Sequence, residues 1–149
     1  MSVFQNMNIT ASALTANRLR MDVISSNMAN VETTRGTYVD GQWQPYRRKM
    51  VVMQSASGPS FSSVLNSEMQ KSNQSGVKIK KIIEDQSPFK LAYNPSHPDA
   101  NDQGYVQLPN VDPLKEMADL ISTTRSYEAN VTVLNANKSL LTKALEIGK

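Results

Sequence analysis

From Leu114 to Ile147 the chain contains neither glycine nor proline, and its large apolar residues return every seven positions. Leu120, Tyr127, Leu134 and Leu141 form one strict row. Met117, Thr124, Val131, Lys138 and Leu145 form a second row, interrupted at Thr124 and Lys138. An uninterrupted stretch of this period predicts a helix about 50 Å long, at about 1.5 Å per residue. Leu114 and Ile121 widen the seam near its start. Asp112 is placed to cap the first turn, and Pro113 suits the first helical position. Gly148 stands where a helix-ending glycine belongs, with Lys143 and Lys149 complementing the negative end.

A second helix is expected from about Ser2 to Asn30. Ser2 and Gln5 fit a capping box. Met7, Leu14, Met21 and Met28 recur at sevens, Ile24 and Val31 join their stripe, and Ala11, Ala13 and Ala16 keep the flank slim. The seam is narrow, and the remaining composition is poor for an isolated helix. Asn6, Asn8, Thr10, Ser12, Thr15, Asn17, Ser25, Ser26 and Asn27 each cost about 0.5 kcal/mol relative to alanine. Packing must offset that penalty, so the arms are expected to be marginally ordered in the free monomer. Two readings stand side by side: an intramolecular hairpin completing a small bundle, or arms that also meet the arms of other subunits.

Between the arms the period changes. Tyr46 to Met53 and Val77 to Ile83 read as strands, with Lys90 to Tyr93 and Tyr105 to Leu108 as weaker ones. Gln54 to Gly76 is rich in Ser, Gly, Asn and Gln and reads as a mobile insert, in which Phe61 and Val64-Leu65 are local packing anchors or a short docking motif. Asn94 to Gly104 is turn chemistry throughout. The expected class is α+β: long terminal helices (1–31 and 112–149) pairing as a coiled-coil-like hairpin, and a small irregular β-containing middle region (32–111) whose mobile segment spans about 54–76.

Composition narrows the function. With 39% hydrophobic and 6% aromatic residues in 149, a large compact core is not expected. No stretch of about eighteen apolar residues is present, which argues against direct membrane insertion. Cysteine is absent, so disulfides, thiolate metal sites and cysteine nucleophiles are excluded. The N-terminal residues lack the charged start and apolar run of a cleavable signal; the chain stays in the cytoplasm or leaves by a route that reads no such signal.

Catalytic chemistry finds no foothold. There is no glycine-rich phosphate loop, no nucleophile elbow, and no pair of carboxylates set to titrate apart. His97, the one histidine, lies beside Asp99 and Asp102, but their spacing fits no calcium loop and offers zinc too few ligands. Neither a metal nor another cofactor is expected, and no enzyme activity. Arg47-Arg48-Lys49 and Lys78, Lys80 and Lys81 concentrate positive charge without the interleaved aromatics of a nucleic-acid surface. On strands they read as a solvated face, or as partners for acidic patches of a neighbour.

Two stretches carry a family resemblance. Asn27-Met28-Ala29-Asn30-Val31-Glu32-Thr33 resembles the Asn-x-Ala-Asn-x-x-Thr signature of the flagellar rod and hook axial proteins. The segments Pro45 to Lys49, Gly104 to Val106, Pro109 to Asp112, Glu116-Met117 and Arg125 to Asn130 narrow the likeness to the proximal-rod branch, and Val133 to Asn135 and Lys138 to Leu140 extend it. The chain departs from the wider pattern where Arg35 to Tyr38 and a further turn precede Pro45.

The resemblance implies a structural subunit of a bacterial flagellar basal body, in the cell envelope outside the cytoplasmic membrane. It implies partnership with other flagellar rod proteins and with copies of the same chain, and export through the flagellar type III apparatus. On this basis Leu14, Met21, Ile24, Met28, Met117, Leu120, Tyr127, Val131, Leu134 and Leu141 form the inter-helix seam. Asn27, Ala29, Asn30 and Thr33 carry the signature; Asn27 and Asn30 cap the helix, or hydrogen-bond backbone or a neighbour. Arg125 and Glu128 pair locally or across subunits. The competing reading is a soluble coiled-coil adaptor that docks partners through its helices and basic strands.

Overall fold

The structure is a computed structural model that describes residues 3–39, 41–56 and 75–147. Helix α1 spans Val3–Ala29 and helix α2 spans Pro113–Ile147. The start of α2 follows the sequence reading: Asp112 Oδ1 accepts from the Leu114 and Lys115 N–H groups at 3.1 and 3.5 Å. Those donors have no partner within the helix, and the capping carboxylate satisfies them. The expected caps at Ser2 and at Gly148 and Lys149, and the Phe61 to Leu65 anchor, lie outside the described residues.

The helices pack against each other as an antiparallel pair. Asn27 meets Glu116, and the Thr124 hydroxyl lies 3.6 Å from the Met21 sulfur, so α1 descends as α2 rises. Equal rise along both helices brings Val3 level with about residue 141. The class is α+β.

Among the described residues six strands make three separate two-stranded antiparallel sheets. These are β1 (Thr37–Val39) with β2 (Gln42–Gln44), β3 (Lys49–Ser55) with β4 (Val77–Glu84), and β5 (Lys90–Tyr93) with β6 (Tyr105–Leu108). The last four occupy the expected regions. The hairpin of β1 and β2 is an addition, in a stretch whose sequence reading was only a turn.

Strand β3 starts later than expected. Tyr46 N–H donates to the Thr33 carbonyl at 3.1 Å and Arg48 N–H to Asn110 Oδ1 at 2.8 Å, so this backbone is bonded to loops, not to a strand. At the other end β3 reaches Ser55, and Ala56 N–H donates to Gly76 carbonyl at 2.8 Å. Pairing therefore takes both edges of the expected mobile segment, whose residues 57–74 are outside the described set. In β4 a bulge at Lys80 shifts register between Val52–Lys81 and Met53–Ile79. Two successive lysines, Lys80 and Lys81, consequently face solvent, as does Ile82.

Helix α1 is covered by α2 and by the β3–β4 sheet. Its contact with β4 is close: the Ser12 hydroxyl accepts from Val77 N–H at 3.1 Å. The buried apolar residues among those described are Ala16, Val23, Ile24, Val106 and Val111, with the prolines Pro45 and Pro109, a small set. Beside them Asn27 and Glu116 are buried polar groups, and they mark the site.

Candidate functional site: a buried polar junction

The last turn of α1, the first turn of α2 and the start of β3 converge on one side chain. Asn27 is 1% exposed. Its Nδ2 donates to the Lys49 carbonyl at 2.9 Å and to Glu116 Oε2 at 3.0 Å. Its Oδ1 accepts from Lys49 N–H at 2.9 Å and from the Tyr46 hydroxyl at 3.0 Å. An amide side chain has two donor and two acceptor positions, and all four are used. Asn27 thus completes the edge of β3 as a neighbouring strand would, while holding the start of α2.

Glu116 is fully buried, and its second oxygen accepts from Arg48 Nε at 2.6 Å. A carboxylate in the first turn of α2 also faces the positive end of that helix. The Arg48 side chain, 13% exposed, reaches further to Asp85 at 3.7 Å and Asp119 at 3.9 Å. Arg20 of α1 approaches Asp119 at 3.9 Å. Asn110 extends the network: its Nδ2 donates to the Asp85 and Ser87 carbonyls at 3.0 and 3.3 Å. Among the described residues, no buried side-chain polar atom lacks a partner. Asp85 titrates below its usual range, chiefly because Ser87 hydrogen-bonds its carboxylate and secondarily because Arg48 lies near.

This arrangement corrects the sequence reading of the Arg47-Arg48-Lys49 cluster as solvated or neighbour-facing at two of its three residues, Arg47 and Arg48. Arg48 is spent inside the chain, and Arg47 lies over the Phe89 ring at 4.5 Å. Lys49 and the Lys78, Lys80 and Lys81 group face solvent as expected.

The other signature residues end the helix. Asn30 Nδ2 donates to the Ser26 carbonyl at 2.9 Å, and the Thr33 hydroxyl donates to Asn30 Oδ1 at 3.2 Å. Ala29 is exposed. Of the seam residues, Ile24 is buried; Leu14, Met21, Met28, Leu120, Tyr127, Val131, Leu134 and Leu141 are half-buried; Met117 is 48% exposed. Arg125 and Glu128 form no ion pair among the described residues, and Lys143 pairs with Glu146 at 2.7 Å.

A second tether lies at the outer hairpins. Arg35 Nε donates to Asp99 Oδ1 at 2.8 Å and the Thr34 hydroxyl to Asp99 Oδ2 at 2.8 Å. Hydrogen bonding from Arg35, then from Thr34, lowers the Asp99 pKa. His97 takes part only as an acceptor of the Asp99 N–H at 3.1 Å, and its ring lies 4.0 Å from that carboxylate. Among the described residues no group of acidic or histidine side chains could hold a metal ion, and no helix is long and apolar enough to cross a membrane.

Glu116 and Arg48 escaped the sequence reading as site residues. Their signal was present: an acidic residue in the first turn of an otherwise apolar-striped helix, and a basic residue three positions after Pro45.

The junction lies between two segments that match family models. Residues 7–36 match the flagella basal body rod protein model, and residues 102–147 match the C-terminal model of the flagellar basal body rod FlgEFG proteins. Over its full length the chain is 64% identical to the whole flagellar basal-body rod protein FlgC of Bacillus subtilis. It is 42% identical to the FlgC proteins of Borreliella burgdorferi, covering 99% of this chain and 98% of that one, and of Escherichia coli O6:H1, covering all of both. Matches of this extent leave no segment of the fold outside the likeness, and the chain belongs to the FlgC family of flagellar basal-body rod proteins.

Proposed function

We propose that this chain is a non-enzymatic structural subunit of the flagellar basal-body rod, in its proximal part, assembling with other rod proteins and with copies of itself into the tubular shaft that transmits torque from motor to hook. The terminal helices, 1–31 and 112–149, form the inner layer, where they pair as a coiled-coil-like hairpin and meet helices of neighbours. The β-containing region, 32–111, faces outward. The subunit reaches its place through the flagellar type III export apparatus, a route suited by the lack of cysteine and by a small core that unravels cheaply.

One observation carries this reading. Leu114, Met117 and Ile121, at spacings of three and four, share a face of α2, and all three are exposed. Leu140 and Leu145 are exposed further along the same helix. A two-helix layer leaves this apolar surface bare, and assembly supplies its cover. The junction then sets the angle between the helical layer and the outer sheets, a geometric requirement for every copy in a regular tube.

The test is Ile121→Asp, supplied to a strain that lacks the native gene. Ile121 is 57% exposed, so the isolated subunit tolerates the charge. Export with loss of rod assembly and swimming is the expected result. Normal swimming with Ile121→Asp sinks the assignment of this face.

A further inference from the structure

The hairpin of β1 and β2 and the hairpin of β5 and β6 face each other across an open groove of about 370 Å³. The chain's only tryptophan, Trp43, lines one wall and Tyr105 the other. Both rings are exposed, Trp43 to 55%. Each is braced from the side by a cross-strand partner: Tyr38 meets Trp43 edge-on at 5.2 Å, and Tyr93 meets Tyr105 at 5.3 Å. Such pairs fix ring orientation in advance of any ligand.

The polar lining is neutral. The side-chain amides of Gln42 and Gln107 have no hydrogen-bond partner among the described residues, and Asn101 uses its Oδ1 while its Nδ2 has none. Among the described residues the one charged side chain lining the groove, Asp99, is already engaged by Arg35 and Thr34. That ion pair also ties the two hairpins together and fixes the width of the groove.

We propose that this groove is a binding site for a neutral glycan. Aromatic faces receive the apolar C–H faces of a sugar ring, and unpaired amides exchange hydrogen bonds with its hydroxyls. Among the described lining residues no unpaired charge remains to recruit an anion or a cation. A peptide adding as a strand is disfavoured, because both backbone groups of Tyr105 on that edge are occupied: its N–H donates to Asn101 Oδ1 at 2.8 Å and its carbonyl accepts from Asn101 N–H at 2.9 Å. The proposal stands apart from the rod assignment, since it uses no residue of the helical layer.

Trp43, as the single tryptophan, reports directly on occupancy. The full chain, dilute, is titrated with maltotriose and separately with chitotriose, and Trp43 emission is followed. Expected is a saturable change with at least one trisaccharide at a midpoint on the order of 1 mM. The double substitution Gln42→Ala with Gln107→Ala moves that midpoint about tenfold higher, a loss of about 1.4 kcal/mol, while the far-ultraviolet circular dichroism is unchanged. Absence of a saturable response to either sugar overturns the proposal, as does an unmoved midpoint in the double variant. An emission change that follows protein concentration without sugar overturns it too, because a second copy then covers the groove.

Discussion

Asn27 Nδ2 lies 3.0 Å from Glu116 Oε2, a bond that joins the end of the first helix to the start of the second across 89 positions of sequence. The same amide binds both backbone groups of Lys49, so three elements lose their mutual placement if it goes. Asn27→Ala leaves the Lys49 backbone groups and one Glu116 oxygen without their partner inside the junction. A loss of roughly 3 kcal/mol in urea unfolding is expected, since each unsatisfied buried polar group costs about 1–3 kcal/mol. A change within error would show that water enters and replaces the amide.

Asn27→Asp makes a sharper test because its effect has a pH sign. The new carboxylate abuts buried Glu116, and two carboxylates sharing a site raise the pKa of one of them above its unfolded value. A raised folded-state pKa means that the folded chain binds the proton more tightly. Stability therefore increases as pH falls through that pKa, opposite to the usual acid weakening. Thermal melts at pH 7.5 and about pH 5 should show this variant recovering part of its deficit relative to Asn27→Ala.

Arg48 and Glu116 form a buried pair at 2.6 Å, and buried pairs punish single removal more than joint removal. Glu116→Leu alone or Arg48→Met alone is expected to cost about 3–5 kcal/mol by leaving an uncompensated charge. The double variant should cost clearly less than the two added together, which a double-mutant cycle measures directly. Strict additivity would mean that Asp85 and Asp119 hold Arg48 well enough without Glu116.

How far the sequence led depends on the kind of signal each element carries. The seven-residue spacing from Leu120 to Leu141 and the Asp112-Pro113 start are local, and α2 follows them. The strands β5 and β6 are bounded by strong turn residues and fall at the expected positions. The β1–β2 hairpin was missed although Asp40-Gly41, a dipeptide favoured in two-residue hairpin turns, stands between its strands; Gly41 has φ of 83°, the left-handed region such turns use. The junction left only scattered local signals, and their convergence was not legible in this way. Asn27, Arg48 and Glu116 lie far apart in sequence, and polar residues at helix ends ordinarily point to caps. Family likeness marked Asn27, and only the folded geometry shows that its work is to serve β3 and α2 together.

Asp99 and Arg35 give a pH observable away from the helices. Arg35 hydrogen bonding holds the Asp99 carboxyl below its ordinary value. A depressed folded-state pKa contributes stability above the unfolded value and loses it as pH falls through the folded one. Arg35→Gln should raise the Asp99 pKa toward normal, read from carboxyl carbon shifts in an NMR titration. Because the pair is exposed, the effect on global stability is small and the titration is the decisive readout.

Leu134 and Ile121 separate packing within the chain from packing between chains. Leu134 of α2 is half-buried, whereas Ile121 of the same helix is exposed. With few apolar residues fully buried and a polar-rich α1, the helix ends far from the junction should be only partly formed in a dilute sample, their circular dichroism deepening with concentration. Leu134→Asp places a charge at a half-buried position of α2 and should lower helicity even in dilute solution. Ile121→Asp should leave the dilute signal intact and remove its rise with concentration. If both variants behave alike, one surface serves both contacts and the division between them is wrong. Full, concentration-independent helicity in the native chain would instead make the isolated helical pair self-sufficient, and its exposed leucines would need an explanation other than assembly.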